Sequence, residues 1–183
     1  MGPSGSGKDS VLHRARLLLP TGAPVVFAHR YITRAAEAGG ENHIALSPAE
    51  FTLRRERGLF AFHWHAHGNE YGIGIEVQAW RQIGLTVVVS GSRAHYIEAA
   101  GVDTDTWPVL ITAPTELRAE RLSARGREDG GAAQARLQRG KAHSIDDSRL
   151  TTIVNDGALD AAAGQLVNLL ATLERRPAAR RRA

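Results

Sequence analysis

The chain has 183 residues, 43% of them hydrophobic, which suits a single α/β domain of ordinary globular composition and, with no apolar run near the roughly 18 residues of a membrane span, speaks against a membrane protein. Without cysteine there are no disulfides and no thiolate metal sites, and with no secretory signal ahead of the first motif a cytoplasmic location is expected. The sequence pI of 10.1 points toward nucleic acid, but Arg175, Arg176, Arg180, Arg181 and Arg182 crowd the last nine residues, and without those five the formal charge falls from +4 to −1. A near-neutral domain over 1–174 with a disordered, solvated arginine tail over 175–183 disfavours a nucleic-acid face.

In chain order, the first element is Gly2-Pro3-Ser4-Gly5-Ser6-Gly7-Lys8, spaced as G-x-x-x-x-G-K. In such a loop the backbone amides wrap phosphate groups and the lysine bridges their outer oxygens, and the glycines supply backbone angles that other residues resist. A helix follows over 9–19, with Val11, Leu12, Ala15, Leu18 and Leu19 on one face until Pro20 stops it, and its positive end adds to the same spot. ATP with Mg2+ is the expected occupant. Position 9 is Asp where the usual loop has Ser or Thr as the magnesium ligand, so Asp9 or the neighbouring Ser10 is expected to supply that oxygen. A buried strand should precede the loop, and only Met1 stands there. Losing about six residues of a central strand would orphan backbone groups and void the core, so a start placed too far downstream is the expectation.

Residues 24–28 form a short apolar strand, and the polar, Gly-rich run 29–43 is expected to be an ordered loop. Ser47-Pro48-Ala49-Glu50 has the form of a capping box, opening a helix to Arg57 that Gly58 closes. Residues 59–67 alternate as a strand, Gly68-Asn69 turns, and 75–83 is helical with Gly84 as its stop. Residues 85–90 are nearly all apolar or β-branched, as in a strand buried on both faces. Further strands are expected at 107–112 and 150–154, a helix capped by Thr115 runs to about Arg125-Gly126, and a last helix covers 159–175. Buried strands alternating with helices predict a P-loop NTPase fold, a parallel sheet covered by helices on both faces. His63, His65 and His67 share one side of their strand, a spacing compatible with zinc, though hydrogen bonding to a phosphate is the simpler use. Trp64, Trp80 and Trp107 are expected in the core.

The motif order resembles the guanylate-kinase-like nucleoside monophosphate kinases, and within them the ribose 1,5-bisphosphate phosphokinases. The resemblance rests on G-P-S-G-S-G-K-D-S, H-R-Y-I-T-R, G-G-E-N-H, G-L-F-A-F-H-W-H-A-H-G, Y-G-I, V-V-V-S-G-S-R-A-H and R-L-x-A-R-G-R-E, which together span 2–128. It implies an acceptor-binding segment at about 29–83 and a lid at about 125–141. It also implies that Arg34 and Tyr71 grip an acceptor phosphate, whereas His63 and Ile73 stand where guanylate kinases read the guanine base. The implied acceptor is a small sugar phosphate, α-D-ribose 1,5-bisphosphate, phosphorylated by ATP to the 1-diphosphate, as in phosphonate use or another supply route for nucleotides. Lys8 would hold the nucleotide phosphates, and Arg125, Arg127 and Arg136 of the lid would close on the transferring group. His63 would donate a hydrogen bond near the phosphate, and Glu41 and His43 would hold ribose hydroxyls or the 5-phosphate, with bracing of the loop an equal alternative. Arg93, just past a strand end, is placed to reach the acceptor. Oligomeric state is left open.

Guanylate kinase or another small-molecule P-loop kinase is the nearest rival, and a non-catalytic guanylate-kinase-like interaction module is the rival of another class. Titration with ATP and magnesium separates the latter: the sequence predicts binding, and a module that has lost the loop's function shows none.

Overall fold

The structure, a computed structural model, describes residues 1–36, 43–99, 105–124 and 145–174. The elements, in order, are α1 (Lys8–Leu18), β1 (Val25–Phe27), β2 (Arg30–Ile32), β3 (Ile44–Ala45), α2 (Pro48–Glu56), β4 (Phe60–Ala66), β5 (Asn69–Gly74), α3 (Glu76–Gln82), β6 (Thr86–Val88), α4 (Arg93–Ala99), β7 (Val109–Thr112), α5 (Thr115–Ala124), β8 (Thr151–Val154) and α6 (Leu159–Glu174). They fall into two compact units, one formed by Met1–Leu19 with Gly91–Ala183 and the other by Pro20–Ser90.

In the first unit β7 and β8 run parallel in register from Val109 opposite Thr151 to Thr112 opposite Val154, with the buried pair Ile111 and Ile153 at the centre. Met1 extends this ladder by one residue. Its ammonium donates to the Val109 carbonyl at 2.8 Å and its own carbonyl accepts from Ile111 N–H at 2.8 Å. Helix α1 buries Val11 and Ala15, one turn apart, against α6, which turns Ala162, Ala163, Leu166 and Leu170 inward. The alanines allow close approach of the two helices, and Arg14 closes the seam with a fork onto Asp160, both bonds 2.7 Å.

Helix α4 is tied down by polar contacts. The Tyr96 hydroxyl donates to Asp147 Oδ2 at 2.5 Å, and Arg149 donates to the same carboxylate through Nε at 3.1 Å and Nη2 at 2.8 Å.

The second unit holds the parallel pair β1–β6 and a four-stranded sheet in the order β3-β2-β5-β4. Here the expected loop at 29–43 is corrected: its first residues form β2, antiparallel to β5, and β3 begins just after it, parallel to β2. A three-residue strand with Arg at its head shows no hydrophobic alternation of its own, and the pairing with β5, some forty residues on, is what makes it a strand. Alternation along β2, β5 and β4 puts Arg30, Ile32, Tyr71, Ile73 and Trp64 on one face of this sheet, and Tyr31, Gly72 and His63 on the other. On the second face Phe60 packs between Tyr31 and Phe51, with ring centroids at 5.6 and 4.6 Å. Gly72 makes room for it, since a Cβ there would lie 2.7 Å from the Phe60 ring. The capping box forms as expected, Ser47 Oγ accepting from Glu50 N–H at 3.1 Å, and Gly58 and Gly84 take positive φ at the ends of α2 and α3.

Burial, and then the bond to Asp147, push the Tyr96 hydroxyl up to about 12. A proton held more tightly in the folded chain adds stability that is complete below the ordinary tyrosine range near 10 and disappears as pH rises toward 12. Denaturant unfolding of Tyr96→Phe against the parent should therefore show a deficit at pH 8 that closes between about pH 10 and 12.

Candidate active site

Residues 2–8 form a loop that enters from the β7 edge at Met1 and ends in the first turn of α1. Gly5 and Gly7 have φ of 80° and 75°, which glycine adopts without strain. Space is as restrictive as angle. A Cβ on Gly2 would lie 2.2 Å from the Ile111 carbonyl oxygen, one on Gly5 2.6 Å from that of Arg118, and one on Gly7 2.4 Å from Asn155 Nδ2. The loop is thus seated on the ends of β7 and β8 and on α5, with only hydrogen at three of its α-carbons.

Two side chains hold it there. Arg118, buried at 6% exposure, donates from Nε to the Ser4 carbonyl at 3.1 Å. Asn155, at 3%, donates from Nδ2 to the Ser6 carbonyl at 2.9 Å, and is itself fixed by its N–H on the Thr112 carbonyl at 2.7 Å and by Arg121 on its own carbonyl at 3.1 Å. Neither residue was found from sequence. Asn155 did carry a signal, standing just past the carboxyl end of a buried strand, where α/β sheets place ligand contacts, whereas Arg118 looked like any helix arginine.

The loop fits a phosphate. The Ser6 hydroxyl is buried with no hydrogen-bond partner among the described residues, and so is Nη2 of Arg118. Lys8 Nζ lies 2.5 Å from Asp9 Oδ1, so in this structure the lysine charge is met by the carboxylate beside it. Ser10 is exposed on the first turn of α1. Asp9 and Ser10 together offer hard oxygen donors of the kind magnesium takes. Arg93 opens α4 in the same unit, where burial, and then the charge of Arg118, hold its guanidinium below the ordinary value; burial does the same to Arg118.

Arg34, His43, His63 and Tyr71, expected at the acceptor, belong to the second unit. Tyr71 is buried at 6% on β5, its ring stacked at 5.4 Å and 7° on Trp64 of β4, with the Arg30 guanidinium 5.3 Å from its centroid. Arg34 follows β2, and its Nε is buried without a partner among the described residues. His43, buried at 8%, lies with Nε2 3.1 Å from the Arg34 carbonyl, donating to it in the Nε2–H tautomer. Tyr71 thus lies on β5, with Arg34 just past β2 and His43 just ahead of β3, all three strands belonging to one sheet. His63 does not join them: it pairs with Gly72 on the opposite face and is exposed, as are His65, which contacts Glu70 at 3.1 Å, and His67. Among the described residues no group of three or more His, Cys, Asp or Glu is placed to hold a metal ion. Trp64, expected in the core, forms one wall of the Tyr71 stack. Glu41, Arg125, Arg127 and Arg136, the lid and the arginine tail lie outside the described residues.

No family model matches the chain. It is 52% identical over 170 residues to a ribose 1,5-bisphosphate phosphokinase PhnN of Desulfomicrobium baculatum, a match spanning 93% of this chain and 91% of that protein. The chain belongs to the ribose 1,5-bisphosphate phosphokinase family. Proteins of the same name from Dickeya zeae and Thiobacillus denitrificans are 48% and 46% identical, each over 93% of the chain and 90% of their own length. Among solved structures, guanylate kinase from Anaplasma phagocytophilum superposes with a TM-score of 0.70 over 96% of this chain and 85% of its own, at 17% identity. The phosphokinase family member described here therefore has the P-loop NTPase, guanylate-kinase-like fold expected from its sequence. No helix among the described residues is long and apolar enough to cross a membrane.

The two glycines of positive φ should differ in tolerance. Gly5→Ala meets the backbone of α5, which cannot swing aside, and should cost about 1–3 kcal/mol of stability and raise the Kd for ATP at least about 10-fold. Gly7→Ala meets a side-chain amide and should be milder in stability while still weakening ATP. Thermal unfolding with and without MgATP reads both.

Proposed function

We propose that the chain transfers the terminal phosphoryl group of ATP to the 1-phosphate of α-D-ribose 1,5-bisphosphate, giving 5-phospho-α-D-ribose 1-diphosphate and ADP. The observation that carries this reading is kinship at 46–52% identity over nine-tenths of the chain with ribose 1,5-bisphosphate phosphokinases, joined to a loop built for phosphate. Ile73 supports it against guanylate kinase: at 1% exposure, between Arg30 and Phe62 in the sheet, it offers no hydrogen bond where a guanine reader is needed. An unmatched polar base edge would cost about 1–3 kcal/mol per group.

In this reading the nucleophile is an anionic oxygen of the 1-phosphate. It forms a bond to the γ-phosphorus as the bond from that phosphorus to the β,γ-bridging oxygen breaks, and ADP carries away the electron pair. An oxygen already ionised needs no general base, so positioning and charge neutralisation supply the catalysis. Lys8 exchanges Asp9 for β- and γ-phosphate oxygens. The amides of residues 2–8, with Ser4, Ser6 and Pro3 shaping the turn, line the triphosphate. Magnesium, when bound, neutralises charge on the same phosphates, with Asp9 and Ser10 as the residues that would hold it. Tyr71 and Arg34 grip the acceptor phosphate, His43 braces Arg34 from behind, and Glu41 and Arg93 complete the acceptor contacts. Arg125, Arg127 and Arg136 are assigned to the transferring group. His63 keeps only an outlying contribution in this scheme. The reaction is placed in the cytoplasm, with its diphosphate product feeding phosphoribosyl transfer.

Phosphorus NMR after incubation with ATP and ribose 1,5-bisphosphate should show a new diphosphate together with ADP, and Lys8→Met should lower kcat at least about 100-fold. Strong turnover of GMP with none of the sugar bisphosphate would defeat the assignment.

A further inference from the structure

The proposed function explains why phosphate sits at the loop but not what turns the loop's amides toward it. Every described peptide is trans, and in a planar trans peptide the carbonyl of one residue and the N–H of the next point in opposite directions. Fixing a carbonyl on one side therefore fixes the following N–H on the other. Arg118 holds the Ser4 carbonyl, so the Gly5 N–H is turned away from α5. Asn155 holds the Ser6 carbonyl, so the Gly7 N–H is turned away from the end of β8. Between them, Ser6 N–H is already spent on the Pro3 carbonyl at 3.2 Å.

We propose that Arg118 and Asn155 are positioning residues for nucleotide binding, each gripping one loop carbonyl so that the amide of the next glycine, Gly5 or Gly7, faces the nucleotide phosphates. The inference rests on the reading of residues 2–8 as the ATP loop. Three features favour an aiming role over simple anchorage. Both residues are buried and neither side chain meets a carboxylate at these bonds, so the interaction with the loop is their principal polar commitment among the described residues. Both gripped carbonyls immediately precede glycines with positive φ, the positions where the chain reverses and an amide can be presented inward. The glycines in turn lie so close to the Arg118 backbone and the Asn155 amide that loop and clamp cannot shift independently. The guanidinium also adds positive charge behind the loop, reinforced by Arg93, with Nη2 left unbonded.

The test is a titration of the 15N-labelled full chain with MgADP, following the amide signals of Gly5 and Gly7. Hydrogen bonding to anionic phosphate oxygen should move both amide protons downfield in the parent. In Arg118→Met the Gly5 response should shrink while that of Gly7 persists, and Kd for MgADP should rise about 10-fold. Asn155→Ala should give the reverse pattern, and Arg118→Lys, which still donates to a carbonyl, should recover most of the affinity. The proposal is overturned if MgADP leaves both amides of the parent unmoved, an outcome that needs no variant to fold. It is equally overturned if either truncated variant binds MgADP like the parent, or if each loses both responses together. No acceptor enters the experiment, so a chain that behaves as proposed yet fails to phosphorylate ribose 1,5-bisphosphate would refute the assigned reaction and leave this inference standing.

Discussion

A missing carbon atom is the constraint on which the site is built. At Gly2, Gly5 and Gly7 the backbone comes so near β7, α5 and Asn155 that any side chain would collide. The first unit is arranged around that closeness: Met1 locks onto β7, α1 starts where the loop ends, and α6 packs along α1 to keep its first turn in place. The hydrophobic contacts of Val11 and Ala15 with α6 stabilise the fold in the ordinary way, yet their consequence for function is geometric, because they aim the positive end of α1 at the same point as the loop amides.

Charge in this unit is arranged for an anion. Lys8, Arg93 and Arg118 gather near or behind the loop, and burial weakens the hold of the last two on their protons. Such a set is unfavourable in isolation, since like charges in a low-dielectric setting repel. Asp9 relieves part of it by pairing with Lys8. The carboxylate where the usual loop places a hydroxyl is thus a resting partner for the lysine. In the second unit the same logic appears on a sheet face, where a tyrosine ring held between an indole and a guanidinium cannot wander, and a histidine fixes the backbone of the arginine that follows β2.

The features legible in the sequence were those written in local chemistry: G-x-x-x-x-G-K, the Ser47 capping box, the glycine stops at Gly58 and Gly84, and apolar runs such as Thr86–Val88. Hidden were those that depend on pairing across long separations. Arg30-Tyr31-Ile32 becomes a strand only beside Tyr71 and Ile73. His63 and Tyr71 fall on opposite faces because the turn at Gly68 sets a register in which His63 meets Gly72, and a slip of one residue would have put them together. Arg118 and Asn155 touch the loop across more than a hundred residues of chain, so nothing around Arg118 announced it and only the strand end before Asn155 hinted at it. The anchoring of α4 through Tyr96, Asp147 and Arg149 was invisible for the same reason.

The central claim is that one phosphate is passed onto another, with the sugar carrying the nucleophile. Its most direct test is to follow 18O placed in the non-bridging oxygens of the 1-phosphate of ribose 1,5-bisphosphate through turnover with unlabelled ATP, using the isotope shift in phosphorus NMR. The account predicts that one labelled oxygen becomes the bridge of the new diphosphate and that ADP is the only nucleotide formed. Formation of AMP, or a diphosphate whose bridging oxygen is unlabelled, would contradict it.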